Sequence, residues 1–323
     1  MKKKLRVTVV GGGSVGMAMA ATLALAGVDV VMLVRTSSMA LLRRDGIGVT
    51  GVSGVHAVAP DSITIDDAQC PDVCSLECDV MIMATKAYQV AEVMTSIVSK
   101  TRETPGPRSV LLLQNGWGSA DEARAIMPAD VGIFSSIMMI GIERRSTTQV
   151  NINVQAGPVR IGTLFDGDST AIQSLVAVAG QGFLPMVYED KIEPAILNKF
   201  LFNTCLNATG ALTGQTYGEL IKNAHSRSLI IHLANETIRV LAATHGYQAA
   251  ENGLHYVEAM LTPFVIPKAA AHRSSMLQDV EVGRRTEIDY LNGAVVRMGR
   301  SKGIATPFNE AILSLVHAAA AAS

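Results

Sequence analysis

The stretch VTVVGGGSVGMAMA, residues 7–20, constrains the fold more than any other part of the chain. An apolar run over residues 5–10 leads into Gly11, Gly13 and Gly16 at the spacing G-x-G-x-x-G, and small residues with helical character follow over 14–26. Strand, glycine turn and helix in that order open a dinucleotide-binding sheet. In such a turn Gly11 permits the tight reversal, Gly13 lets the backbone approach a pyrophosphate, and Gly16 packs helix on strand. Gly12, Ser14 and Val15 complete the loop, where the exposed N–H groups of a helix start attract negative charge.

The alternation continues. Residues 28–34, 79–84, 109–113 and 131–137 read as strands, and 88–99 and 119–127 as helices. Short apolar strands alternating with helices mean a parallel sheet covered on both faces. The β-rich pieces 150–154 and 159–161 are expected to extend that sheet as hairpin strands, followed by a helix and a strand at 184–188. After Glu189 the strand pattern stops, with Asp190 as a candidate N-cap and Pro194 in the first helical turn. The expected organisation is an α/β Rossmann-type dinucleotide-binding domain over residues 1–189, followed by an all-α domain over 190–323. The alanine run at 318–322 is expected to fray.

The second strand ends in Val34-Arg35-Thr36-Ser37-Ser38, without the carboxylate that usually holds both ribose hydroxyls of NAD. Arg35 and the neighbouring hydroxyls suit a 2′-phosphate, so NADP is the expected cofactor. Ligands of such sheets lie beyond the carboxyl ends of the strands, which makes Lys86 and Asn115 further candidates.

In the second half, NKFLFNTCLN sets Lys199, Asn203 and Asn207 four residues apart. Four residues turn a helix by about 400°, so the three side chains form one polar stripe among Phe, Leu and Cys. A buried ammonium persists when it is paired, when its pKa falls, or when it faces a reactive cleft. Taken alone, the helix also fits a lysine snorkelling to solvent. A second polar group, Ser275 with Glu287, stands twelve residues apart in SSMLQDVEVGRRTEIDYLNG. The segment alone reads as an amphipathic helix, although both residues could reach one cleft from different levels.

Bulk properties exclude several classes. With 27 basic and 28 acidic residues in 323, and no basic block after Lys2-Lys3-Lys4, nucleic acid is not an expected partner. That opening resembles a secretory signal, but Gly11-Gly12-Gly13 interrupts the apolar run. No segment offers about 20 uncharged apolar residues, so no membrane span is expected and the chain reads as a soluble cytoplasmic protein. Cys70, Cys74 and Cys78 repeat every four residues without a second Cys or His pair, so no metal site is expected.

Five motifs in order, GGGSVG, TKAYQ, QNGWG, KFLFNTCLN and SSMLQD with RRTEIDYLNG, resemble the ketopantoate reductase (2-dehydropantoate 2-reductase) family along nearly the whole chain. The resemblance implies an NADP-dependent oxidoreductase that reduces a small 2-oxo acid, ketopantoate, to pantoate in pantothenate and coenzyme A biosynthesis. The alternative is an NADP-linked reductase of a different small 2-oxo acid on the same two-domain plan. The resemblance makes Lys199 the proton donor, Asn203 and Asn207 the substrate amides, Ser275 the carboxylate binder and Glu287 a contact on the cofactor side. It makes Lys86 and Asn115 cofactor contacts, with Asn115 also close to substrate. The expected partner is the small 2-oxo acid; the sequence leaves the oligomeric state open, a homodimer among the alternatives. His272 stands where some members of the family have Asn, Tyr217 at the approximate place of another substrate-side Asn, and Ala208 where Pro is frequent. These departures fall on the side that recognises the rest of the acid.

Overall fold

The computed structural model describes residues 4–321, and the chain divides into two units, 1–114 with 119–193, and 115–118 with 194–323. The first unit carries β1 (Arg6–Val10), β2 (Asp29–Val34), β3 (Ile47–Gly51), β4 (His56–Val58), β5 (Thr64–Asp67), β6 (Val80–Met83), β7 (Ser109–Leu112), β8 (Gly132–Ile137), β9 (Ile140–Arg144), β10 (Gln149–Gln155), β11 (Val159–Gly162) and β12 (Met186–Tyr188). Eight of them form one sheet in the order β12-β11-β8-β7-β6-β1-β2-β5, and four form another in the order β4-β3-β10-β9.

From β5 across to β8 the large sheet is parallel; β11 and β12 run the opposite way, β11 pairing antiparallel with β8. β6 and β7 are buried at every position, as strands covered on both faces must be. The order reverses beside β1, so the carboxyl ends of β1 and β6 flank a topological switch point.

The hairpin expectation for residues 150–161 holds only in part. β11 joins the large sheet, whereas β10 leaves it and pairs parallel with β3 and antiparallel with β9. The helix Ser14–Leu25 explains why. It packs on β1 and β2 and also against β3, β4, β9 and β10, so its small residues are covered by two sheets. Met17, Ala18, Met19, Ala20 and Ala21 are fully buried, and longer side chains would hold the two sheets apart.

The second unit is helical. Its principal helices are Glu193–Thr213, Tyr217–Lys222, Ala224–His245, Ser275–Glu281, Asn292–Ser301 and Pro307–Ala321. The first begins at Glu193, so Asp190 is not its N-cap; Pro194 does stand in the first turn, where its missing N–H costs no hydrogen bond. The segment with Ser275 and Glu287 is not one helix. It stops at Glu281, Gly283 adopts φ +62°, and a short turn Ile288–Tyr290 follows. The alanine run continues the last helix to Ala321, and the remaining two residues lie outside the described ones, as do Met1, Lys2 and Lys3.

Candidate active site

In the α/β unit the glycine loop is shaped by backbone contact. Gly11 has φ +119°, donates its N–H to Leu33 O at 2.9 Å, and lies so close to the end of β6 that a Cβ would meet Ala84 O at 2.8 Å. A Cβ on Gly16 would fall 1.9 Å from Gly11 O. Gly13 is different: nothing stands within 4 Å of its Cβ position, which leaves room beside a helix start that no side chain caps and no acid occupies. At the ends of β6 and β7, Gln114 Nε2 donates to Met83 O and Thr85 O, while Gln114 Oε1 and Thr85 Oγ1 are buried without a partner. A glycine cradle, an open anion-attracting helix end and two orphaned polar atoms fit a dinucleotide.

Arg35 is exposed at the N-cap position of the helix Thr36–Asp45. The adjacent hydroxyl is not available to a phosphate: Thr36 Oγ1 donates to Asp67 Oδ2 at 2.7 Å, and this contact holds the Asp67 carboxyl below its usual range. Lys86 occupies the N-cap of the turn Ala87–Gln89, its backbone N–H donating to Gln89 Oε1 at 3.3 Å.

In the helical unit a small cleft is lined by Asn115, Asn207, Ser275, Met276, Asp279, Glu287 and Leu291. Four sequence-predicted residues therefore meet there. Asn115 is delivered by a loop pressed on Tyr290: Gly116 has φ +97°, a Cβ on it would lie 2.3 Å from Tyr290 O, and Trp117 donates its N–H to that same oxygen at 2.8 Å. Ser275 opens its helix, while the preceding Ser274 does the capping. Ser274 Oγ accepts from Leu277 N and donates to Asn207 O, so Ser275 is left exposed at the cleft.

Lys199 and Asn203 do not line this cleft but share the Asn207 stripe of the helix Glu193–Thr213. Lys199 is half-buried as a residue, and its amine lies deep enough that burial pushes the pKa down to about 8, against the pull of the Glu287 carboxylate. Asn203 is 6% exposed, on the same helix face as Lys199 and Asn207.

Sequence reasoning missed Met276, Asp279 and Leu291. Asp279 had a signal: it lies four residues after Ser275 and so shares its helix face. Cys70 and Cys74 are exposed free thiols, and Cys78 is buried, its thiol pushed up to about 12 by desolvation.

Comparison with known proteins places the chain. Residues 7–165 match the family model "Ketopantoate reductase PanE/ApbA", and residues 191–320 match its C-terminal model. A 2-dehydropantoate 2-reductase of Aquifex aeolicus is 28% identical over 316 residues, covering 97% of this chain and 96% of its own. One from Halobacterium salinarum is 27% identical, covering 98% and 99%. Among solved structures, a PanE/ApbA family ketopantoate reductase from Ralstonia eutropha superposes with a TM-score of 0.82 at 22% identity, covering 98% of each chain. D-mandelate dehydrogenase with NADH and anilino(oxo)acetate gives 0.83 at 24% identity, covering 98% and 99%, a likeness of fold. Both halves of the sequence, each matched by its own model, show that the chain belongs to the ketopantoate reductase family.

Proposed function

We propose that this protein reduces 2-dehydropantoate to pantoate with NADPH, the nucleotide used by its family. The observation that carries the proposal is Lys199: an amine held at about 8 by burial against the pull of Glu287, on the same helix face as Asn203 and Asn207. At neutral pH such an amine is mostly protonated and can still release its proton.

In the α/β unit, the backbone N–H groups of Gly12, Gly13, Ser14, Val15 and Gly16 would hold the pyrophosphate at the turn that Gly11 makes, Arg35 would take the 2′-phosphate, and Lys86 would add a cation near the nucleotide. NADPH, when bound, would supply the hydride for the carbonyl carbon. Lys199 stabilises the negative charge that grows on the carbonyl oxygen and gives it a proton. Asn203, Asn207, Asn115 and Ser275 are neutral donors that hold the acid's oxygens without competing with the lysine's charge. Glu287 keeps the ammonium charged until the proton leaves.

No described helix is long and apolar enough to cross a membrane. The four free cysteines support the cytoplasm as the place of action.

A second proposal, reduction of a different small 2-oxo acid, is favoured by one observation. The Tyr217 ring lies 5.0 Å from the His272 ring and 5.4 Å from the Phe202 ring, an aromatic cluster behind Asn207 whose Tyr217 and His272 replace amides that some members of the family have. Steady-state NADPH oxidation with ketopantoate, pyruvate and bulkier 2-oxo acids separates the two. The highest kcat/KM on ketopantoate is expected. Preference for another acid replaces the substrate, and no turnover with any 2-oxo acid removes the function.

A further inference from the structure

Tyr217 opens the helix Tyr217–Lys222 and is 3% exposed. It is held at both ends. Its backbone N–H donates to His272 O at 3.1 Å, and its phenol donates to Asn207 Oδ1 at 2.8 Å. The ring is fixed between Phe202, edge to face, and His272.

The direction of the phenol bond determines how Asn207 is presented. A phenol has one hydrogen to donate, and leaving it unpaired in a buried site costs free energy. Asn207 Oδ1 is the only acceptor for that hydrogen among the described residues. If the Asn207 amide were turned over, its nitrogen would face the phenol oxygen and the phenol hydrogen would have no acceptor. Electrostatics agree, because the cleft that Asn207 lines also holds the carboxyl groups of Asp279 and Glu287, towards which amide hydrogens turn more favourably than an amide oxygen. Asn207 Nδ2 has no hydrogen-bond partner among the described residues, and the Asn207 backbone is pinned separately by Ser274 Oγ at 3.2 Å.

We infer that Tyr217 is a positioning residue for substrate recognition: it commits the Asn207 oxygen, so that Asn207 offers only N–H donors to the cleft and selects an acceptor, a carboxylate or carbonyl oxygen of the acid. The inference rests on the reductase function proposed above and adds to it the polarity of one substrate contact. His272 supports the same geometry from behind. Burial lowers its pKa, so at neutral pH it packs on the Tyr217 ring as a neutral imidazole. The charged and titratable groups near this contact are Lys199 on the Asn207 helix, Asp279 and Glu287 at the cleft, and His272 behind Tyr217.

The test is Tyr217→Phe, which keeps the ring and its packing and removes the one hydrogen bond that orients the amide. With the 2-oxo acid that the wild type turns over, KM is expected to rise about tenfold, while kcat changes no more than about twofold and NADPH affinity stays the same. A merely structural role would lower thermal stability and active fraction without moving KM. An unchanged KM overturns the inference while leaving the reductase function intact; a wild type that reduces no 2-oxo acid removes the function itself. Should the variant fold poorly, selective ¹⁵N-asparagine labelling of the wild type serves instead. The Asn207 side-chain amide signal shifts on saturation with the acid if its hydrogens face the ligand, and an unmoved signal overturns the inference.

Discussion

The two units build their polar sites from different materials. In the α/β unit the site is backbone: glycines, an uncapped helix start and strand ends, on a sheet whose central strands are buried throughout. In the helical unit it is side chain: Lys199, Asn203 and Asn207 on one helix, Ser275, Glu287 and Asn115 on three other segments. A backbone site needs only short-range sequence, whereas a side-chain site needs its helices locked in register. The helical unit has a lock of its own. Glu236 is 5% exposed and accepts from Phe308 N, Asn309 N and Asn309 Nδ2; Asn292 Nδ2 donates to Asn309 Oδ1 and to Thr204 O on the Lys199 helix. This buried chain ties the helices Ala224–His245, Pro307–Ala321 and Asn292–Ser301 to the helix that carries Lys199.

The comparison can be broken most directly at Lys199. Lys199→Ala should lower kcat by about 10²- to 10⁴-fold while NADPH binding persists, as measured by steady-state kinetics and fluorescence titration. Near-normal turnover would show that the polar stripe is structural.

Next comes the lock. Glu236→Ala leaves three buried donors without an acceptor, and urea unfolding should show a loss of about 3 kcal/mol. If the loss stays below about 1 kcal/mol, the helical site does not depend on that network.

The backbone site predicts a split within a single loop. Gly16→Ala forces a Cβ onto Gly11 O and should destabilise the protein by about 2 kcal/mol. Gly13→Ala meets open space, so stability should stay within about 0.5 kcal/mol while NADPH affinity falls about tenfold. Equal behaviour of the two variants in both assays would contradict the division of roles.

The smallest effect is on pH. Because burial lowers the Lys199 pKa to about 8, turnover in the reductive direction should decline as pH rises through that value. The sign for stability is opposite. The folded chain loses this proton near 8 and the unfolded chain near 10.5, so the penalty for burying the charge is full below 8 and lifts between the two values. Chemical denaturation of wild type and Lys199→Met across that range would show the difference between them narrowing.

Much of the fold was legible in residue order. Gly11, Gly13 and Gly16 between an apolar run and a small-residue helix specify the first βα unit, because each glycine answers a local steric demand. The short strands β3, β4 and β5 were not legible. They are partly exposed and carry weak apolar patterns; β3 and β4 belong to the second sheet that covers the far side of the helix Ser14–Leu25, and β5 pairs with β2 at the edge of the large one. The Thr36 hydroxyl was assigned to a phosphate from sequence, but Asp67, 31 residues away, holds it through the pairing of β2 with β5.

For the site, helical spacing alone aligned Lys199, Asn203 and Asn207, since a four-residue step is a property of one helix. Which of their atoms are free for a ligand was settled only by tertiary contacts. Tyr217 takes the Asn207 oxygen, burial with Glu287 sets the Lys199 amine near 8, and Ser274 rather than Ser275 caps its helix. The sequence by itself determined most of the elements, the glycine loop and the residue types of the polar stripe, all of which depend on neighbours within a few turns. The tertiary structure decided proton affinity, amide orientation and the membership of the cleft, because desolvation and hydrogen-bond pairing are fixed by groups that lie far apart in the chain.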